Sequence, residues 1–136
     1  MATEETSYLD VKDAITLHIL LMRRWREVRF GVDRRDLLES ALARPRQTAN
    51  YENADLIRQA ATLCFGLIKN HPWLGGNKRT ASFLMETFLG MNGVELLLAT
   101  DAEIVAMVLA VEANAWKVDE IESWLRKRVR KSDEKE

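Results

Sequence analysis

Residues 71–80 read HPWLGGNKRT, and this polar stretch separates two of the most apolar segments of the chain. The segments on either side, AATLCFGLI at 60–68 and ASFLMETFLG at 81–90, are apolar on nearly every face of a helix. A helix that is apolar all round lies in the middle of a bundle. An ordinary turn would join two buried helices, so the charged loop indicates a functional site on a rigid scaffold.

The composition is that of one globular domain. The chain has 136 residues, of which 47% are hydrophobic and 30% are charged, enough for a real core. We expect the core at about residues 8–129 and a solvated, frayed tail at 130–136. The formal net charge of −1 favours neither nucleic acid nor a membrane surface, so an anion site must be local.

The first residues, MATEETSYLD, lack the basic and apolar regions of a signal peptide, and no apolar run reaches the roughly 18 residues of a membrane span. A cytoplasmic protein is therefore expected. Cys64, the one cysteine, lies in an apolar stretch and is predicted to be a small buried hydrophobe, with no disulfide or zinc cluster. His18, in the first helical segment, is predicted to be a structural or surface residue.

Hydrophobic periodicity predicts an all-α fold, a bundle of about six helices with the charged loop between two central ones. The loop ARPRQTANYEN should follow the second helix, because the residue before Pro45 avoids helical geometry. Asp10 can serve as the N-cap of the first helix. Asn92 or Gly93 can end the fourth helix in left-handed geometry, and Thr100 with Glu103 fits a capping box. The expected helices are about Asp10–Arg26, from after Asp33 to near Arg44, about Ala54–Asn70, about Lys78–Met91, from Thr100 to about Ala113, and about Val118–Val129.

The loop has the residues of an anion site. Gly75 and Gly76 allow the backbone to approach a ligand closely, and Asn77, Lys78 and Arg79 fall in the first turn of the next helix. A helix start exposes unpaired N–H groups and partial positive charge, so it attracts phosphate. Basic side chains there are unfavourable with the helix dipole unless an anion is present.

His71 lies on the other limb of this loop and can act as a proton acceptor. A base beside phosphate-binding groups indicates phosphoryl or nucleotidyl transfer, in which positioning and charge neutralisation do most of the catalysis. Taken singly, a helix-end His, a Gly-Gly turn or a solvated Lys-Arg pair is more often structural. Their coincidence within ten residues favours a functional site.

HPWLGGNKRTA resembles the signature loop of the Fic/Doc superfamily, roughly H-P-F-x-(D/E)-G-N-(G/K)-R. The NKRTA ending, the LLESALARP segment and the opening YLDVKDAITLH are similar to the Doc, or death-on-curing, branch. The resemblance extends from about Tyr8 to Leu125. It implies the all-helical Fic/Doc bundle.

The resemblance also implies roles for the loop residues. His71 matches the catalytic base towards a target hydroxyl. Gly76 and Asn77 match the anion-binding turn, with Asn77 contacting phosphate. Arg79 matches the Arg that pairs with nucleotide phosphates, and Lys78 the Lys that replaces a Gly of the AMP-transferring branch.

The implied activity is that of a Doc toxin, which transfers the γ-phosphate of ATP to a threonine of elongation factor Tu and stops translation. The implied partners are ATP, an elongation factor Tu-like substrate and a small Phd-type antitoxin that packs over the active-site groove. Two alternatives stay open. One is an AMP-transferring Fic enzyme, although its second Arg is replaced by Ser82; the other is a catalytically weakened protein kept for nucleotide or partner binding.

Two positions depart from the family pattern. Trp73 replaces the usual Phe, and both are large aromatics that anchor the loop. Gly75 replaces the acid that helps to hold Mg²⁺ on the phosphates, so the usual carboxylate ligand is absent and no metal-ligating residue is predicted. Asp55, Glu52 or Glu86 could supply another carboxylate, the enzyme could be slow or altered, or it could be a pseudoenzyme.

The segment after the second helix has three readings. Residues 44–51 could form a flap that guides a target segment by strand-like pairing, or an ordinary connection. TANYEN at 48–53 formally fits the (S/T)xxxE(G/N) pattern of Fic self-inhibitory helices. A pattern with three free positions matches easily by chance, so inhibition by a separate antitoxin is expected instead.

Overall fold

The computed structural model describes residues 5–97 and 99–132, and in them the predicted all-α architecture is confirmed. A two-stranded antiparallel sheet is the only addition within the described residues. None of the described helices is long and apolar enough to cross a membrane. The elements are α1 (Val11–Arg24), α2 (Arg35–Glu52), α3 (Leu56–Asn70), α4 (Asn77–Met91), β1 (Val94–Leu96), α5 (Asp101–Glu112), α6 (Val118–Arg126) and β2 (Val129–Lys131).

The two central helices are α3 and α4, as the sequence predicts. Helix α3 packs against α2, α4, α5 and α6, and both central helices bury large side chains such as Leu67, Leu84 and Phe88 completely. Cys64 lies in this core, and burial raises the pKa of its thiol to about 12. It is the buried, unreactive hydrophobe expected from its context.

Local signals set several helix ends correctly. Asp10 caps α1 in a capping box with Asp13, and Thr100 caps α5 in one with Glu103. Gly93 takes a positive φ of 81° directly after α4, as a helix stop requires. These ends depend on residues within four positions of each other, which is why the sequence alone predicts them.

The predicted end of the second helix near Arg44 is wrong. Helix α2 continues through Pro45 to Glu52 and ends at Asn53 in left-handed geometry. Proline cannot donate the helical hydrogen bond, but Pro45 is buried and α2 packs along α3, so tertiary burial overrides the local preference. Residues 44–51 are helical, so neither the strand-like flap nor the ordinary connection is present.

The C-terminal segment also differs from the prediction. Helix α6 ends at Arg126 rather than near Val129, and β2 pairs with β1 so that Val94 faces Lys131. The Ser132 N–H continues this pairing by donating to the Gly93 carbonyl at 2.8 Å. The frayed tail is therefore wrong for 130–132, because a distant strand holds them, and 133–136 lie outside the described residues.

A network of ion pairs joins α3 to α6. The Arg58 guanidinium donates to Glu52, Asp119 and Glu122 at 3.0, 2.8 and 2.7 Å. Arg126 extends the network by donating to Glu122 at 2.6 Å. Partial burial raises the pKa of Glu122, but Arg58 and Arg126 outweigh this, so its carboxyl titrates below its usual range.

We predict that Arg58→Met lowers the free energy of unfolding by about 1–2 kcal/mol at pH 7, because three partly exposed pairs are lost together. The pKa of Glu122 is depressed in the folded state, so its contribution is present above the unfolded pKa and is lost as the pH falls through the folded value. Urea unfolding at pH 7 and pH 3 measures both effects. Arg35→Met, which breaks one exposed pair, is the control; equal losses in both variants at pH 7 would contradict the network.

Candidate active site

The loop between α3 and α4 brings the predicted base, His71, and one of the predicted cations, Lys78, to the same carboxylate. His71 ends α3 in left-handed geometry, with φ of 51°, and its N–H donates to the Leu67 carbonyl. Gly76 precedes α4 with φ of 69°, another left-handed conformation. These two reversals turn the chain so that His71 and Lys78 approach the same carboxylate from opposite limbs of the loop.

Backbone hydrogen bonds fasten the loop to the segment at 31–34. The Leu74 N–H donates to the Gly31 carbonyl at 2.8 Å, and the N–H groups of Asp33 and Arg34 donate to the Pro72 carbonyl at 2.9 and 3.0 Å. A strand-like bridge therefore exists beside the loop. It comes from the chain between α1 and α2 and not from the flap predicted at 44–51.

Asn77 shapes the loop from within. Its side chain is buried, accepts from the Trp73 N–H at 3.0 Å and donates to the Trp73 carbonyl at 2.9 Å. The amide that the resemblance assigns to phosphate is thus already paired with the backbone. Helix α4 has no side-chain cap, and its first backbone bond is that of Thr80 to Gly76. The N–H groups of Asn77, Lys78 and Arg79 therefore remain for an anion.

His18 is buried directly beneath the loop. Its Nε2 accepts from the Gly31 N–H at 3.0 Å, so Nδ1 carries the proton and donates to Thr80 Oγ1 at 2.9 Å. The ring stacks on Trp73 with centroids 3.9 Å apart. Burial lowers the pKa of His18 to about 4, which keeps the imidazole neutral. The structural reading of His18 is confirmed.

Glu112, at the end of α5, faces both His71 and Lys78. One oxygen, Oε2, lies 3.3 Å from Lys78 Nζ and 3.6 Å from His71 Nε2. The hydrogen bond from Lys78, helped by His71, holds the pKa of the Glu112 carboxyl below its usual range. Sequence reasoning did not identify this residue.

Arg79 rests against the segment that follows α1. Its NH1 donates to Glu27 Oε2 at 3.0 Å, and its guanidinium lies over the Trp25 ring, 4.4 Å from the centroid. These partners were also missed from the sequence. Glu52, of the formal self-inhibitory pattern, pairs with Arg58 instead, so it does not occupy Arg79.

A cavity of about 450 Å³ opens beside Lys78 and Arg79. Apolar side chains of α1, α4 and α5 make up most of its lining, which also includes Glu86 and Asp101. Burial, together with the charge of Asp101, raises the pKa of Glu86. Of the three carboxylates considered as substitutes for the missing acid, Glu86 alone lines this cavity.

The other two are engaged elsewhere. Asp55 accepts from Arg126 and Glu52 from Arg58, in the network between α3 and α6. Neither carboxylate is therefore available to the loop.

Position 75 has no room for a side chain. A Cβ on Gly75 would lie 2.3 Å from the Arg29 carbonyl oxygen, and one on Gly76 would lie 2.4 Å from Met22 Sδ. The described residues also contain no cluster of three His, Cys, Asp or Glu side chains that could hold a metal ion. The residues do not fit a protein-held Mg²⁺ at the usual position.

We predict that His18→Phe destabilises the fold by about 2–3 kcal/mol, since the ring still stacks while Gly31 N–H and Thr80 Oγ1 lose their partner. The wild type should also lose about 2–3 kcal/mol between pH 6.5 and 4, because the folded pKa is lowered and only the unfolded state gains a proton in that range. Urea unfolding across this range tests both points. If the free energy of unfolding of His18→Phe falls between pH 6.5 and 4 as steeply as that of the wild type, the pH dependence arises from groups other than His18.

We predict that Gly75→Ala and Gly75→Asp destabilise the protein to a similar degree, about 1–3 kcal/mol, because the clash arises at Cβ. Thermal unfolding of both variants measures this. Gly90→Ala is the matched control, because a Cβ there has no neighbour within 4 Å. Wild-type stability in Gly75→Asp would show that the Arg29 segment yields readily.

A sequence model described as the Fic/DOC family matches residues 8–89. The chain is also 38% identical over 101 residues to a protein named Toxin Doc from Mycolicibacterium smegmatis, covering 72% of this chain and 74% of that protein. With the charged loop between two central helices, these matches show that the chain belongs to the Fic/Doc family, in its Doc branch.

Proposed function

We propose that the chain is the toxin of a toxin–antitoxin pair, a Doc-type kinase that transfers the γ-phosphate of ATP to a hydroxyl group of a protein such as elongation factor Tu. The observation that carries the proposal is that His71 and Lys78 both face the Glu112 carboxylate, while Arg79 follows Lys78 at a helix start without a side-chain cap. The similarity to Toxin Doc supports the same class of activity.

The chemistry follows from these groups. Lys78, Arg79 and the free N–H groups at the start of α4 bind the phosphates, and their charge stabilises the transferring phosphoryl group. To do so, Lys78 exchanges Glu112, and Arg79 exchanges Glu27, for phosphate oxygens. His71 takes the proton of the acceptor hydroxyl as its oxygen bonds to the γ-phosphorus. The bond from that phosphorus to the bridging oxygen breaks, and ADP leaves.

Phosphate transfer is favoured over AMP transfer by two residues. Lys78 stands where the AMP-transferring branch has Gly, and Ser82 stands where that branch has its second Arg. The neutral Ser82 side chain offers no cation to a phosphate. It is buried, and its hydroxyl already donates to the Arg79 carbonyl at 3.1 Å.

The proposed partners follow from the same surface. The cavity beside Lys78 and Arg79 has a mostly apolar lining, which suits a small Phd-type antitoxin covering the site. The action on elongation factor Tu would take place in the cytoplasm. The net charge of −1 gives no support to nucleic acid as a partner.

A second function is favoured by Gly75. Because Gly75 replaces the usual acid and the Arg29 carbonyl oxygen lies where a Cβ at that position would project, the site can bind nucleotide through its cations while transferring phosphate slowly or not at all. The protein would then serve as a nucleotide- or partner-binding member of the family.

We predict that the wild type transfers label to elongation factor Tu from γ-labelled ATP and not from α-labelled ATP. His71→Ala should lose roughly 100-fold or more of this rate, because the base is removed. Arg35→Met, on the exposed face of α2, is the control and should keep full activity.

The other outcomes decide between the alternatives. Label from α-labelled ATP would mean AMP transfer. No label, with ATP still raising the melting temperature of the wild type and not of Arg79→Ala, would favour the binding protein. Transfer that persists in His71→Ala would reject the assigned base.

A further inference from the structure

We propose that Glu112 is a positioning residue for His71, orienting its ring through Nε2 so that Nδ1 faces the acceptor hydroxyl. The inference rests on the proposed function for its catalytic meaning. The orientation itself is a property of the free protein and can be tested without any reaction.

The geometry places a single carboxylate oxygen between the two side chains. Glu112 Oε2 is 3.3 Å from Lys78 Nζ and 3.6 Å from His71 Nε2. The second distance is that of an ion pair and exceeds a hydrogen bond. Catalytic contacts are often long before substrate binds and shorten in the complex. In the free protein the carboxylate already lies on the Nε2 side of the ring, and this contact can shorten when Lys78 turns to phosphate.

A separate contact holds the two elements in place. The Lys69 side chain at the end of α3 hydrogen-bonds to Asn114 Oδ1, just beyond the end of α5. Lys69 precedes His71 by two residues, and Asn114 follows Glu112 by two. Both His71 and Asn114 have left-handed backbones, with φ of 51° and 68°. The approach of His71 to Glu112 is therefore built into the junction of α3 with α5.

The position of Glu112 is unfavourable for its own helix. It is the last residue of α5, where the helix dipole repels an anion, and the last turn contains no basic residue. Lys78 is equally misplaced at the positive start of α4. A chain selected for helix stability alone would place the opposite charges at these ends. Both unfavourable positions are explained if the Glu112 carboxylate is there to interact with His71 and Lys78.

The contact with Glu112 determines which ring nitrogen of His71 is free to accept a proton. A carboxylate that accepts the Nε2–H proton leaves the Nδ1 lone pair to act as the base. When Nδ1 takes the hydroxyl proton, the imidazolium lies beside a negative charge that stabilises it. Glu112 is ionised at neutral pH, and the hydrogen bond from Lys78 lowers the pKa of its carboxyl further.

The test uses Glu112→Gln, Glu112→Asp and, as a matched control on an exposed pair of α2, Glu39→Gln. We predict that Glu112→Gln lowers kcat roughly 10- to 100-fold while KM for ATP changes less, because orientation is lost and phosphate binding is not. Glu112→Asp should recover part of kcat, and Glu39→Gln should match the wild type. Unchanged kcat with lowered thermal stability would overturn the proposal. Increased kcat or tighter ATP binding would also overturn it, because Glu112 would then be blocking the phosphate site.

Long-range ¹H–¹⁵N NMR of the ATP-free protein at pH 8 gives the second readout, the tautomer of His71. The wild type should hold the proton on Nε2, and Glu112→Gln should move part of the population to Nδ1. If the wild type has no kinase activity, the proposed function fails, but this shift still supports the orientation by Glu112. Identical tautomer populations in the two proteins would overturn it.

Discussion

The neutral imidazole of His18 is the contact on which the geometry of the loop between α3 and α4 depends. It accepts from the Gly31 N–H and donates to Thr80 Oγ1, so it joins the segment after α1 to the first turn of α4. The same ring stacks on Trp73 within the loop. If the imidazole were protonated, Nε2 could no longer accept the hydrogen bond from the Gly31 N–H, so the arrangement requires a neutral His18. Burial keeps the ring neutral by lowering the pKa of His18 to about 4. A fully buried side chain thus holds together the backbone segments that carry the candidate base and cations.

The Trp that replaces the family's Phe fits the space but not the polarity of this region. Trp73 is 2% exposed, and its Nε1 is a buried polar atom without a hydrogen-bond partner among the described residues. An unsatisfied buried donor costs about 1–3 kcal/mol. Stacking on His18 and burial of the large ring offset that cost. Trp73 therefore anchors the loop, as expected, but it carries the free-energy cost of an unsatisfied buried N–H, which Phe would not have.

How much the sequence predicts depends on how far apart the interacting residues lie. The Asp10 and Thr100 caps and the charged turn before α4 are local, and each is found where its pattern indicates. Pro45 was misread because burial against α3 outweighs a local backbone preference. Glu112 was missed because its partners lie more than thirty residues away. Its one sequence signal is an acid in the last turn of a helix that has no basic residue there, which is the same dipole argument that marks Lys78 and Arg79.

The absence of the usual acid at position 75 is matched by the surrounding backbone, which leaves no space for a side chain there. The Arg29 carbonyl oxygen lies where a Cβ would project. The segment that carries it is itself fastened to the loop through Gly31 and Leu74. Restoring a carboxylate at position 75 would therefore require that segment to move away. Such a movement would disturb the contact between Gly31 and His18. If the chain transfers phosphate, the charge that the usual acid and its metal would neutralise falls to Lys78 and Arg79. The carboxylates now paired with those cations must then yield to the nucleotide.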